Sequence, residues 1–180
     1  MPKREMKTLT EPQREIPVVA EVDVVVAGGG PGGLPAAIAA AREGAKVLLI
    51  EKYGFLGGLA TAGLVVPMLG HTASRSHTPI VEGLLKEMTE RMHAIGGAPS
   101  WEETLQEWGI RFDAEAFKVV ADQMVKEAGV DLLLHTVVTD AVVEDGKIQA
   151  LIIESKSGRQ AVVADVVIDA TGDADVAYRA

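Results

Sequence analysis

Three glycines and one carboxylate in this chain are spaced to hold a diphosphate ester of a nucleoside. Gly28, Gly30 and Gly33 read G-x-G-x-x-G within Gly28-Gly29-Gly30-Pro31-Gly32-Gly33. The first glycine permits a tight turn, the second lets the backbone approach a pyrophosphate, and the third lets a following helix pack closely. A helix that starts there offers unpaired N–H groups and its positive dipole end to phosphate oxygens. Pro31 suits the position, having no N–H to leave unpaired. Seventeen residues separate Gly33 from Glu51. A carboxylate at that distance, ending the next strand, can accept from both hydroxyls of an adenosine ribose.

Other residues with chemical capacity follow. Gly54, Gly57, Gly58 and Gly63 fall within ten residues. They imply backbone lying against something or positive φ angles, with a plain surface loop as the alternative. His71, Arg75 and His77 sit in a polar stretch over residues 70–78. Either histidine can face a substrate or be a loop residue without a chemical role. Arg75 can hold an anion on the same terms. No third nitrogen or carboxylate joins the histidines at metal-ligand spacing, so no metal site is expected. Near the end, an apolar run over residues 165–169 leads into Ala170-Thr171-Gly172-Asp173. That places close backbone and a carboxylate at the carboxyl edge of a sheet, where ligands bind in α/β folds.

These groups need elements to position them. Residues 22–27 are too continuously apolar for a half-solvated strand and fit the buried centre of a parallel sheet. An alanine-rich helix follows, stopped at Gly44, and residues 47–50 form the second buried strand. Residues 79–95 carry apolar side chains at helical spacing, and Asp113 is placed to cap a helix over residues 114–127. From residue 131 the period shortens. Segments 137–143, 147–154 and 160–164, separated by turns at Asp145-Gly146 and Ser157-Gly158, read as a three-stranded antiparallel meander. The expected fold is therefore α/β: a Rossmann-like dinucleotide-binding domain over residues 21–180, with a parallel sheet, the β-meander, and residues 64–128 as a largely helical insertion. Residues 1–20 read as an N-terminal tail.

Composition narrows the functions further. The chain has 180 residues, 48 % of them hydrophobic, and a formal net charge of -9. That suffices for one sizeable core. The acidity argues against attraction to nucleic acid or anionic membrane. Cysteine is absent, which excludes disulfides, thiolate metal sites and a CxxC couple within these residues. No apolar run approaches the length of a membrane span, and the first residues lack the apolar core of a signal peptide. A cytoplasmic setting is expected.

With these motifs in hand, the sequence resembles the flavoprotein oxidoreductases of the glutathione-reductase type of FAD fold. More narrowly, it looks like the FAD-dependent oxidoreductases that carry stretches such as EKYGFLGGLATAGLV and VIDATGDADVA. The resemblance implies FAD as cofactor. Gly28, Gly30, Pro31, Gly32 and Gly33 would line its pyrophosphate, Glu51 would bind the ribose, and Lys52 would lie beside it. Gly57, Gly58, Ala60 and Thr61 would follow the cofactor toward the flavin, Val138 would meet the adenine, and Gly172 and Asp173 would return to the pyrophosphate. A hydride would then pass between a small organic substrate and the flavin. The family runs on well past 180 residues, so the chain reads as an N-terminal piece whose partner would be the remainder of a split or truncated enzyme. Two other readings stand beside this one: a non-catalytic nucleotide-binding or assembly subunit, and an NAD-dependent dehydrogenase.

Overall fold

The computed structural model describes residues 8–73 and 76–180. The chain is α/β and Rossmann-like. It opens with strand β1 (Val18–Ala27), helix α1 (Gly33–Arg42) and strand β2 (Val47–Ile50). β1 begins inside the stretch read as tail, because Val18 pairs with Ala161 of a later strand. Next come a single 3₁₀ turn (Gly58–Ala60), β3 (Met68–Leu69), α2 (Leu84–Ala94), α3 (Trp101–Thr104), β4 (Gly109–Ile110) and α4 (Ala114–Ala128). The last third supplies β5 (Asp131–Leu133), β6 (Val137–Glu144), β7 (Lys147–Ser155), β8 (Gly158–Asp169) and α5 (Asp175–Arg179).

Six strands form one sheet in the order β5-β2-β1-β8-β7-β6. The four strands β5, β2, β1 and β8 run parallel. β6, β7 and β8 are antiparallel neighbours and make the meander. Two short strands were expected where β8 is one. Its first half pairs antiparallel with β7, up to Val163 opposite Ala150. From Ala161 to Asp169 it pairs parallel with β1. The chain changes hydrogen-bond partner there without breaking, so the loss of alternation after Ala164 marks a change of neighbour and not a turn.

Both faces of the parallel strands are covered, as continuous apolar runs require. Val26, Val47 and Leu49 pack on α1 and α4. Val25, Ala27, Leu48 and Ile50 pack toward the meander, against Val138, Leu151, Ile153 and Val162. Each fully buried Leu or Ile stabilises by about 1.5–3 kcal/mol, whereas an exposed ion pair contributes about 0–1. The apolar faces therefore set the position of α1, and the Arg42–Glu87 pair at its end (2.7 Å) trims it.

The helices start and stop where local chemistry allows. Asp113 Oδ1 accepts from the N–H groups of Glu115 and Ala116, each at 2.8 Å. Gly129 ends α4 at φ +77°, in the left-handed region. α2 is shorter than its apolar spacing predicts. His71 O accepts from Ile80 N and Val81 N, so residues 79–81 belong to a loop pairing, and Gly83 at φ +59° starts the helix at Leu84. Ile80 and Val81 are consequently exposed.

Candidate functional site

The glycine corner is set by backbone contact. Gly28 stands at φ +104°, and a Cβ there would lie 2.3 Å from Ala170 O. A Cβ on Gly33 would lie 1.8 Å from Gly28 O. Both glycines are therefore demanded by the protein's own packing. Gly30 and Gly32 differ. A Cβ on Gly30 would meet nothing closer than Gly58 Cα at 3.8 Å, and one on Gly32 would meet nothing within 4 Å. Their missing side chains leave open space in front of α1, which has no side-chain cap. The first-turn N–H groups of a helix lack intrahelical partners, so this space suits an anion.

Glu51, at the end of β2, is only 4 % exposed. Its Oε2 accepts from Gly29 N at 2.7 Å, and its Oε1 accepts from Tyr53 N at 2.8 Å. The carboxylate thus ties the corner to the end of β2. A carboxylate has about four acceptor sites across its two oxygens, so capacity remains for hydroxyl donors. Gly57 N donates to Gly29 O at 2.9 Å, which brings residues 57–63 against the corner. Gly58 is at φ +49°, and a Cβ on it would lie 2.8 Å from Gly30 Cα.

The third wall comes from the end of β8. Asp169 Oδ1 accepts from the N–H and hydroxyl of Thr171 at 3.1 and 2.7 Å. Its Oδ2 accepts from Val176 N and Ala177 N at 3.1 and 2.9 Å. Partial burial is the largest single influence on this carboxyl and pushes its pKa up. The hydrogen bonds from Ala177, Thr171 and Val176 together outweigh it and hold the pKa below the usual carboxylate range.

Together these walls enclose a cleft of about 900 Å³ at the carboxyl ends of β1, β2 and β8. Gly28, Gly30, Pro31, Gly32, Glu51, Lys52, Gly58, Val138 and Gly172, expected at a ligand, all line it. Gly33, Gly57, Ala60, Thr61 and Asp173 do not. Gly33 lies under the corner, and Ala60 and Thr61 are buried, with Thr61 Oγ1 donating to Leu56 O at 2.7 Å. Asp173 is exposed on the rim.

The histidines lie elsewhere. His71 is fully buried, with Nε2 2.8 Å from Thr104 O and its ring edge-on to Trp101. His77 Nδ1 is 3.0 Å from Leu105 O. Neither lines the cleft; each ties its own position to a carbonyl at the end of α3. Arg75 lies outside the described residues. Among the described residues, no three His, Cys, Asp or Glu side chains are grouped to hold a metal ion, and no helix is long and apolar enough to cross a membrane.

Sequence reasoning passed over Asp169, Thr171, Leu59 and Thr136, which also line the cleft. An acid closing an apolar strand with Thr two residues on is the signature of a side-chain-capped turn, and would have found the first two. Leu59 and Thr136 carry no comparable signal.

The family model described as FAD dependent oxidoreductase matches residues 23–180. Thiamine thiazole synthase from Methanococcus vannielii is 32 % identical over 87 % of this chain and 58 % of its own length. The enzyme of the same name from Methanococcus aeolicus is 32 % identical over 87 % of this chain and 57 % of its own. The chain therefore spans less than three-fifths of these curated relatives. Among solved structures, Thermovibrio ammonificans THI4 superposes with a TM-score of 0.60 at 22 % identity, covering 88 % of this chain and 61 % of that one. At that identity the match shows the fold.

These relatives correct the functional side of the resemblance. A glutathione-reductase-type flavoprotein oxidoreductase was expected, with FAD as cofactor and a hydride passing to its flavin. The relatives are named for thiazole synthesis, and no flavin enters those names. Neither the oxidoreductase activity nor the FAD assignment carries over, and the description of the family does not by itself supply them. What the family model does establish, over residues 23–180, is kinship: the chain belongs to the FAD dependent oxidoreductase family.

Proposed function

We propose that this chain is the nucleotide-binding part of a thiazole-synthase-like protein, and that its cleft holds an ADP group. The observation that carries the reading is the contrast within the glycine corner. Gly28 and Gly33 are required by contacts inside the protein, whereas Gly30 and Gly32 face open space at an uncapped helix start. A position where the protein itself leaves room for a side chain, and yet carries none, fits backbone kept bare for a ligand. In this reading the N–H groups at the start of α1 receive the pyrophosphate. Glu51 accepts from ribose hydroxyls, Lys52 lies beside it, and Val138 lies against the base. Gly172 comes back toward the phosphates, while Gly33, Gly57, Ala60, Thr61 and Asp173 shape the walls. The curated relatives are much longer, so a small-molecule substrate and a further polypeptide portion completing the site belong to the same proposal.

Titration calorimetry with ADP-ribose tests it. The chain is expected to bind ADP-ribose, and Gly30→Val, whose side chain would fill the space before α1, is expected to lose at least about tenfold in affinity. The Gly30→Val chain should keep its far-UV circular dichroism. Binding that survives this substitution would show that the ligand does not meet the corner, and no binding by the parent chain would refute the reading.

A further inference from the structure

We infer that Asp169 is the positioning residue of the cleft: its carboxylate holds residues 170–177 in place as the wall opposite Glu51. This rests on the nucleotide reading of the cleft and adds to it a residue whose part is played through the chain that follows it.

The segment after β8 is anchored at Val176, which is buried against the meander, but the turn leading to it needs its own support. Gly172 is at φ +89°, and Ala174, though not glycine, is at φ +58°. Ala174 and Gly172 both line the cleft. α5 is barely more than one turn long and has no side-chain cap of its own. A backbone with two residues in the left-handed region and one short helix needs an external template to keep one shape. Asp169 supplies it by dividing its oxygens. Oδ1 takes both donors of Thr171, and Oδ2 takes the first free N–H groups of α5 at Val176 and Ala177. Thr171 Oγ1 then accepts from Asp175 N at 2.9 Å. The far end is moored by Arg179, whose Nε donates to Thr139 O at 2.7 Å on β6. At the near end, Ala170 O lies against the backbone of Gly28, so the wall's starting point is fixed to the glycine corner. Every acceptor direction in use on Asp169 points into its own chain. It therefore acts on a ligand only through the backbone it arranges.

An amide cannot replace this carboxylate. In Asp169→Asn one terminal atom is a donor, so whichever way the amide turns it can satisfy either Thr171 or α5, and the other pair of donors faces an NH₂ group. The hydroxyl of Thr171 is the second joint. Thr171→Val removes it at nearly constant shape, and Thr171→Ser keeps it.

The test combines calorimetry with ADP-ribose and residue-level amide exchange on the full chain. Asp169→Asn is expected to bind ADP-ribose at least about tenfold more weakly and to lose protection at the Val176 and Ala177 amides. The amides of β1 and β2 should stay protected, which separates loss of the wall from general unfolding. Thr171→Val should weaken binding by a smaller factor, about threefold, and Thr171→Ser should bind as the parent does. A role confined to overall stability would lower the melting temperature of every variant without this split between Val and Ser. If Asp169→Asn binds normally, or loses exchange protection without losing affinity, the positioning role is wrong while the nucleotide reading stands. If the parent chain itself fails to bind ADP-ribose, the nucleotide reading fails first and the inference falls with it.

Discussion

At the carboxyl ends of β1, β2 and β8, carboxylates hold loops by accepting from backbone N–H groups, and the space between those loops stays open. Between β3 and α4, the rings of His71 and His77 bond instead to the backbone carbonyls of Thr104 and Leu105, away from that space. Glu51 and Asp169 belong to the first arrangement, His71 and His77 to the second. Both regions contain buried polar side chains and glycine turns, but spacing marks the first in the sequence and residue type alone marks the second. What separates them is where the unmet capacity lies. Glu51 lines a cleft of about 900 Å³, whereas the unpartnered Nδ1 of His71 is sealed in apolar packing beside Trp101. A buried polar group marks a candidate site when its spare capacity faces open volume.

The sharpest way to break this contrast is inside the glycine corner. Gly33→Ala forces a Cβ to within 1.8 Å of Gly28 O. It is expected to destabilise by about 3 kcal/mol or more in urea unfolding, at the upper end of overpacking costs. Gly30→Ala, with open space before it, should change stability by under about 1 kcal/mol. Equal losses at the two positions would erase the distinction between packing glycines and ligand-facing ones.

The next largest effect sets a carboxylate against a histidine. Glu51→Ala strands the N–H groups of Gly29 and Tyr53. It should cost about 2–4 kcal/mol, with about 1–3 from the buried Gly29 N–H and about 1 from the part-buried Tyr53 N–H, and it should weaken ADP-ribose binding as well. His71→Phe gives up the bond to Thr104 O but also removes an unsatisfied nitrogen. It should cost about 1–2 kcal/mol and leave ADP-ribose affinity unchanged. A change in ligand affinity on altering His71 would join the two regions functionally and overturn the contrast.

The smallest effect lies on the surface between them. Glu87 on α2 bonds Arg42 of α1 at 2.7 and 2.8 Å and Arg91 at 2.9 Å. The Arg42 hydrogen bond, foremost, holds the Glu87 carboxyl below its usual range. A depressed pKa means that the folded state keeps this carboxylate charged more readily than the unfolded chain does. Its contribution is full above the ordinary carboxylate range and is lost as pH falls through the lowered pKa. Arg42 is 41 % exposed, so solvent screening limits the contribution to under about 1 kcal/mol. Melting temperatures of the parent and Glu87→Gln should therefore differ at neutral pH and converge in acid. Curves that stay parallel would show that the pair is not linked to folding.

Local chemistry made the corner, α1, β2 and the meander legible in the sequence, because each is specified by residues within a few positions of one another. The cap at Asp113 and the stop at Gly129 were legible for the same reason. The start of α2 was not. Apolar spacing runs back to Ile80, but the hydrogen bonds from residues 80 and 81 to His71 O, formed across the loop, together with Gly83 at φ +59°, deny those residues to the helix. The continuity of β8 was hidden likewise, since one strand changes neighbour halfway along. In the cleft, attention fell on Asp173, beside the conspicuous Thr-Gly, while the carboxylate that organises the turn is Asp169, four residues earlier. The histidines were singled out for their chemistry. The burial of His71 depends on α3, whose Thr104 carbonyl meets its ring, while His77 stays exposed beside Leu105 O.

β8 serves two neighbours in turn, and this makes it a shared spine. Its early residues belong to the meander and its late ones to the parallel strands, with no joint between. The strand ends beneath the cleft and the meander beside it are therefore joined through one unbroken strand.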